Sequence, residues 1–154
     1  MKLYQLEARQ LLPISVSAAW DFFSDAANLP RITPPSLGFR VTSPLPPRMY
    51  AGMIATYTVT PFPGVRVGWV TEITHVAEHV MFVDEQRFGP YRFWHHQHHF
   101  AEVPGGVEIR DIVHYALPLQ PASGLVRRWM VQPRLSAIFE FRRATLEGLF
   151  GRME

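Results

Sequence analysis

The segment Trp94-His95-His96-Gln97-His98-His99 sets four imidazoles almost side by side, a group able to bind a metal ion, carry a proton or hold a polar ligand by hydrogen bonds. On an extended strand, successive side chains point to opposite faces. Trp94, His96, His98 and Phe100 therefore share one face, and Phe93, His95, Gln97, His99 and Ala101 the other. The first set is bulkier and is expected to face inward. His96 and His98 then form an i, i+2 pair, a spacing that serves zinc and iron sites in other folds. The plainer expectation is a pair of hydrogen-bonded pocket histidines, and no metal is assigned.

A carboxylate joins them from the last strand-like run, where Val107, Ile109, Val113, Tyr115 and Leu117 alternate with Glu108, Arg110, His114 and Ala116. Asp111 falls on the apolar face. A buried, unpaired carboxylate is expensive, so Asp111 must find a donor or take up a proton. The expectation is an anchor paired with an arginine, a histidine or a backbone amide. Whether its face is also that of His96 and His98 depends on the Pro104-Gly105-Gly106 turn, because two loop residues or three give opposite registers.

Phe82-Val83-Asp84-Glu85-Gln86 sends one carboxylate inward whichever register holds. Asp84 beside Asp111 would make an acid–base pair with one member protonated. Pairing with Arg87, Arg92 or Arg110 at the sheet surface is the ordinary alternative and the expected one. If the chain is an enzyme, His96 or His98 would be its base and Asp111 or Asp84 its acid or orienting group. Around these, Tyr57, Trp69, Trp94, Tyr91 and Tyr115 offer flat walls and polar handles. The expected ligand contacts are Tyr57, Trp69, Asp84, Gln86, Trp94, His96, His98, Phe100, Asp111, Val113, Tyr115, Ile138 and Phe139.

The elements that must hold these residues are legible in the punctuation. A strand over Lys2 to Leu12 stops at Pro13. Ser17 is expected to cap a short helix through Asp25, and the prolines at 30, 34 and 35 leave a brief helical turn or irregular chain. Six extended runs follow: Gly38 to Ser43, Gly52 to Thr60, Val65 to Val76, His79 to Arg87, Tyr91 to Val103 and Val107 to Leu117. Their separations leave no room for crossover helices, so they form an antiparallel meander. After Pro121, Leu125, Trp129, Leu135, Ile138, Phe139, Leu146, Leu149 and Phe150 recur at helical spacing. Pro133 should break or kink this segment and stand first in the main helix. The expected architecture is α+β in one domain over 1–154: about seven strands curved around a long C-terminal helix, with two short helices after the first strand. A curved sheet and a cylinder do not meet flush, so a cavity is expected between them.

Composition narrows the partners. Apolar residues make up 47% of the 154, which suits a globular core. The formal charge of +2 comes with scattered arginines, so nucleic acid is not an expected partner. No cysteine is present, which excludes disulfides and thiolate chemistry. There is no leader-like or membrane-spanning apolar run, and a cytoplasmic location is expected. Arg127 and Arg128 beside Leu125, Trp129 and Met130 suggest transient membrane contact, although a helix with a solvated basic face that includes Arg134, Arg142 and Arg143 is the simpler expectation.

Trp69-Val70-Thr71-Glu72-Ile73, Phe82-Val83-Asp84-Glu85-Gln86, Gly89-Pro90-Tyr91, Trp94-His95-His96-Gln97-His98 and Arg110-Asp111-Ile112-Val113-His114-Tyr115-Ala116-Leu117-Pro118 together resemble the SRPBCC, or START-like helix-grip, superfamily. The resemblance covers essentially the whole chain and is closest to bacterial small ligand-binding proteins of polyketide cyclase/dehydrase-like type. It implies a fold and a mode of binding. The leading expectation is binding or carriage of a hydrophobic small molecule or lipid without a cofactor. The alternatives are a cyclase or dehydratase and a module whose ligand regulates a partner; no oligomeric state is assigned.

Overall fold

The computed structural model describes residues 2–62, 64–118 and 123–153. Strand β1, Tyr4–Leu12, leads to helix α1, Val16–Ser24. The cap of α1 is Ser15, not Ser17: the Ser15 side chain accepts from the Ala18 N–H. This satisfies one of the donors that a helix start leaves open. Two 3₁₀ turns, Ala26–Ile32 and Pro35–Leu37, occupy the proline-rich connector.

The meander consists of β2, Arg40–Val41; β3, Ile54–Phe62; β4, Val65–Ala77; β5, Met81–Phe88; β6, Phe93–Val103; and β7, Gly106–Ala116. The run expected over Gly38 to Ser43 keeps only two paired residues. His79, expected to open β5, instead sits in the preceding turn with φ 63°. The sheet order is β1-β7-β6-β5-β4-β3-β2, antiparallel throughout. Register shifts between β4 and β5, at Arg87 of β5 and at Thr74 of β4, bend the sheet, as bulges do. Thus the fold is the helix-grip arrangement, a curved seven-stranded sheet closed by a C-terminal helix.

The β6–β7 turn has two residues, Pro104 and Gly105, with Gly105 at φ +86° and Val103 paired to Gly106. Gly106 is required for another reason: a Cβ there would stand 2.0 Å from the Leu12 carbonyl oxygen. This register sets His98 opposite Asp111 and His96 opposite Val113. His96, His98 and Asp111 consequently share the inner face.

Of the break or kink expected at Pro133, the chain shows no break but a change of helical register, and the proline stands in the first turn of the C-terminal helix. Helix α2, Ser123–Val126, runs through a π turn, Arg127–Val131, into α3, Gln132–Phe150. A proline near the start of α3 cannot donate to the preceding turn, and the wider π register absorbs that loss. The onset after Pro121 lies outside the described residues. Arg127 docks the π turn: its guanidinium lies 4.7 Å from the Tyr4 ring centroid, and its Nε donates to Tyr115 Oη at 3.2 Å. Among the described residues, no helix is long and apolar enough to cross a membrane.

Two apolar clusters hold α3 against β1 and β7. Leu146 packs with Leu12, Val107 and Ile109 near one end, and Leu135 with Tyr4, Val113 and Tyr115 near the other. Full burial of such side chains contributes about 1.5–3 kcal/mol each. A third cluster, Met53, Ala55, Tyr57 and Ile73, lines the far side of the sheet's concavity. Polar side chains interrupt the apolar stripe between the first two clusters.

Candidate functional site

Along β6 the inward side chains run Trp94, His96, His98, Phe100; along β7 they run Ile109, Asp111, Val113. On β5, Asp84 is paired directly opposite His96 and also points inward. The structure thus corrects the expectation of a surface pairing for Asp84. Glu85 takes that role, with Arg87 at 3.2 Å and His95 at 2.7 Å.

The two histidines lie side by side, ring centroids 3.8 Å apart, and each spans from one carboxylate to the other. His96 places Nε2 2.9 Å from Asp111 Oδ1 and Nδ1 3.4 Å from Asp84 Oδ2. His98 places Nε2 2.8 Å from Asp84 Oδ2 and Nδ1 2.9 Å from Asp111 Oδ1. The last approach is off the axis of a hydrogen bond, so the buried His98 Nδ1 has no hydrogen-bond partner. Arg142 completes the ring, donating from Nη1 to Asp111 Oδ1 at 3.3 Å. His96, His98, Asp111 and Arg142 are all less than 9% exposed. Phe82 stacks on the His98 ring at 4.1 Å, and Phe139 meets His96 edge-on.

Burial alone would raise the Asp111 carboxyl, but the Arg142 charge and the two histidines outweigh it and hold Asp111 well below the usual carboxylate range. Burial likewise opposes ionisation of Asp84, yet the His96 and His98 interactions and a Trp94 donor bring it below its ordinary value. Neither aspartate is therefore the protonated acid that the sequence left open. The histidines diverge: burial and the neighbouring His98 lower His96, whereas for His98 the two aspartates overcome burial and raise it. Two rings this close do not readily both carry charge. With His98 as the charged member, two carboxylates face two cations.

Asp84, His96, His98 and Arg142 form part of the wall of a cavity of about 240 Å³ between sheet and helix. Of the expected contacts, Tyr57, Trp69, Trp94, Ile138 and Phe139 also line it. Burial, with the Asp84 charge adding, pushes the Tyr57 phenol up to about 12. The other expected contacts lie elsewhere. Gln86 is spent on the β5–β6 connection, donating to the Tyr91 carbonyl at 2.7 Å and accepting from its N–H at 3.2 Å. Phe100 packs with Trp20 and Phe23 in the core. Val113 and Tyr115 are filled in under Leu135. Asp111 stands behind the histidines and faces a second, polar cleft of about 290 Å³ between β1 and α3.

Sequence reasoning also misplaced Arg142, expected on a solvated face and found buried at 8% exposure. Its position was readable: Leu135, Phe139, Arg142 and Leu146 follow the helical repeat of one stripe. Met53, the residue just before β3, also lines the cavity and continues the alternation of Ala55 and Tyr57, so the inward reading of Tyr57 carries it along.

The sequence profile described as polyketide cyclase / dehydrase and lipid transport matches residues 12–139. No curated protein matches the chain. Solved structures share the fold at low identity. TTHA0849 from Thermus thermophilus is 14% identical, with a TM-score of 0.71 over 95% of this chain and 99% of that one. The Zhui aromatase/cyclase from a Streptomyces species is 10% identical, with a TM-score of 0.71 over 96% and 93%. Ara h 8.0201 is 13% identical, with a TM-score of 0.64 over 96% and 99%.

Proposed function

Because this chain belongs to the polyketide cyclase/dehydrase and lipid transport family, we propose that it binds a flat, apolar small molecule in the cavity between sheet and α3. The observation that carries this reading is the cavity itself: about 240 Å³ walled by Tyr57, Trp69, Trp94, Ile138 and Phe139, with the charged ring on one side. An apolar hole of roughly 150 Å³ takes up benzene, so a molecule of one or two rings suits this volume. The rings and methyls supply affinity by burial, and the His–Asp wall orients a polar group.

Organic extraction of the purified protein followed by mass spectrometry, together with titration of the two-ring fluorescent probe 2-naphthol, tests this. We expect saturable probe binding that Ile138→Trp abolishes by filling the cavity. Absence of both a co-purifying compound and saturable binding overturns the proposal. A second reading, an enzyme acting on a β-keto substrate, is favoured by the buried charged ring, which a passive carrier does not require. There His96 would act as base, with Asp84 and Asp111 orienting the two histidines. Turnover that survives His96→Gln would remove it. Loading of the ligand would involve transient membrane contact through Leu125, Trp129 and Met130, which are exposed beside Arg128. Sedimentation with phosphatidylglycerol vesicles, lost on Trp129→Ser, checks this.

A further inference from the structure

We infer that Asp84, His96 and His98 form a binding site for a divalent transition-metal ion on the cavity wall, with Asp111 orienting both imidazoles from behind. Sequence spacing alone offers only the His96–His98 pair. The fold adds the third donor, because β5 sets Asp84 directly across from His96. Among the described residues, this is the one group of three such donors whose ligating atoms all lie within 4.8 Å of one another.

The geometry suits a small ion. A tetrahedral centre with bonds of about 2.0–2.1 Å keeps its donor atoms roughly 3.3 Å apart. Asp84 Oδ2 and His96 Nδ1 are already 3.4 Å apart, while Asp84 Oδ2 and His98 Nε2, at 2.8 Å, need to open by about half an ångström. Side-chain rotation supplies that much without moving a strand.

The surroundings are those of a ligated imidazole pair. A histidine that binds a metal through one nitrogen usually donates its other N–H to a carboxylate, which fixes tautomer and ring orientation. Here both second nitrogens, His96 Nε2 and His98 Nδ1, lie 2.9 Å from the same Asp111 oxygen. The buried His98 Nδ1 is without a hydrogen-bond partner as it stands. A metal on Nε2 assigns the proton to Nδ1 and, as the ring rotates to ligate, gives that nitrogen its acceptor. Ligation requires His98 to release its proton; two carboxylates then face one guanidinium, and the remaining fixed charges favour a cation. Two imidazoles and a carboxylate select zinc, iron(II) or a similar ion over magnesium or calcium. All three donors line the cavity, so the remaining coordination position opens onto it, to water or to an oxygen of the organic ligand.

The inference does not depend on the nature of that ligand, because the metal alone tests it. Chelator-treated full-length protein is titrated with Co²⁺, read by its visible absorption, and with Zn²⁺ by calorimetry. We expect one ion per chain, binding lost in Asp84→Asn and His98→Gln, and affinity reduced about 10–100-fold in Asp111→Asn. His95→Ala, on the outer face, should leave binding unchanged, and circular dichroism checks that each variant is folded. Failure of the wild-type protein to bind either ion at one per chain overturns the inference. So does binding that persists in Asp84→Asn and disappears in His95→Ala, which would locate the ion on the outer histidines. Probe binding in the cavity without metal binding would leave the proposed function standing and this inference refuted.

Discussion

Replacing Arg142 by methionine keeps much of the side chain's bulk but removes the only guanidinium donating a hydrogen bond to Asp111 among the described residues. At 3.3 Å and an effective dielectric constant near 20, the gross attraction is about 5 kcal/mol. Desolvation of both groups offsets much of it. Stranding the partner is costly all the same, because removing one member of a buried pair typically destabilises by roughly 3–5 kcal/mol. His96 and His98 still contact Asp111, so the lower figure, about 3 kcal/mol, is the expectation for Arg142→Met. Asp111→Asn should cost a similar amount, and the double variant little more than either single one. A coupling of about 2–3 kcal/mol results, equivalent to a melting shift of roughly 4–12 °C at 2–4 °C per kcal/mol for a domain of this size. Urea unfolding of all four proteins by circular dichroism, with chelator present, measures the cycle. Arg143→Met is the control: Arg143 is exposed and donates to the Arg9 carbonyl, and its loss should cost under about 0.5 kcal/mol. Single-variant losses that add to within about 0.5 kcal/mol would mean that the pair is not coupled, and the account of a closed charged ring would fail.

Two further outcomes follow from the same coordinates. Gly106→Ala places a Cβ 2.0 Å from the Leu12 carbonyl oxygen, backbone against side chain with no flexible group to yield, and should cost more than about 2 kcal/mol in thermal melts. Gly124→Ala, with open space around it, should be neutral or stabilising by about 0.5–1 kcal/mol; equal effects at the two sites would contradict the close approach. Tyr57 is kept neutral in the fold, its phenol raised from 10.0 to about 12. Its contribution is therefore intact below pH 10 and lost as the unfolded phenol ionises first, between about pH 10 and 12, by roughly 2–3 kcal/mol. Tyr57→Phe should flatten that alkaline decline, and a tyrosinate absorbance titration in which Tyr57 ionises near the ordinary phenol value of 10.0 would refute the assignment.

The sheet was legible because turn residues and two-residue alternation are local signals, and each strand carries its own. The alternation of Val107, Ile109, Asp111 and Val113 placed Asp111 inside, and the bulk of Trp94, His96, His98 and Phe100 placed the histidines inside. What local pattern could not supply was the relation between strands. That the hairpin has two loop residues depends on a positive-φ Gly105 and on Leu12 packing over Gly106, a contact between segments far apart in the chain. The inward turn of Asp84 is decided by the same long-range registers. Ser15 and Ser17 are chemically alike, and which of them caps α1 depends on where β1 releases the chain. Arg142 was missed because residue type outweighed position. An arginine in an apolar stripe reads as surface until the carboxylate opposite it is known.

The pairing of β1 with β7, from Tyr4 opposite Tyr115 to Leu12 opposite Val107, bears on how the protein is made. The first strand leaves the ribosome long before β7, its only strand partner among the described residues, exists, and closing so large a loop is slow because its entropy is lost before any contact rewards it. Until then β1 is an unpaired edge. Glu7 and Arg9, which finally pair with Arg110 and Glu108, give that waiting strand charges that discourage adhesion to other chains. When β7 arrives, the same charges favour the one alignment in which both pairs form. Biogenesis of the domain should accordingly be limited by synthesis of its last third, with no stable intermediate shorter than β7.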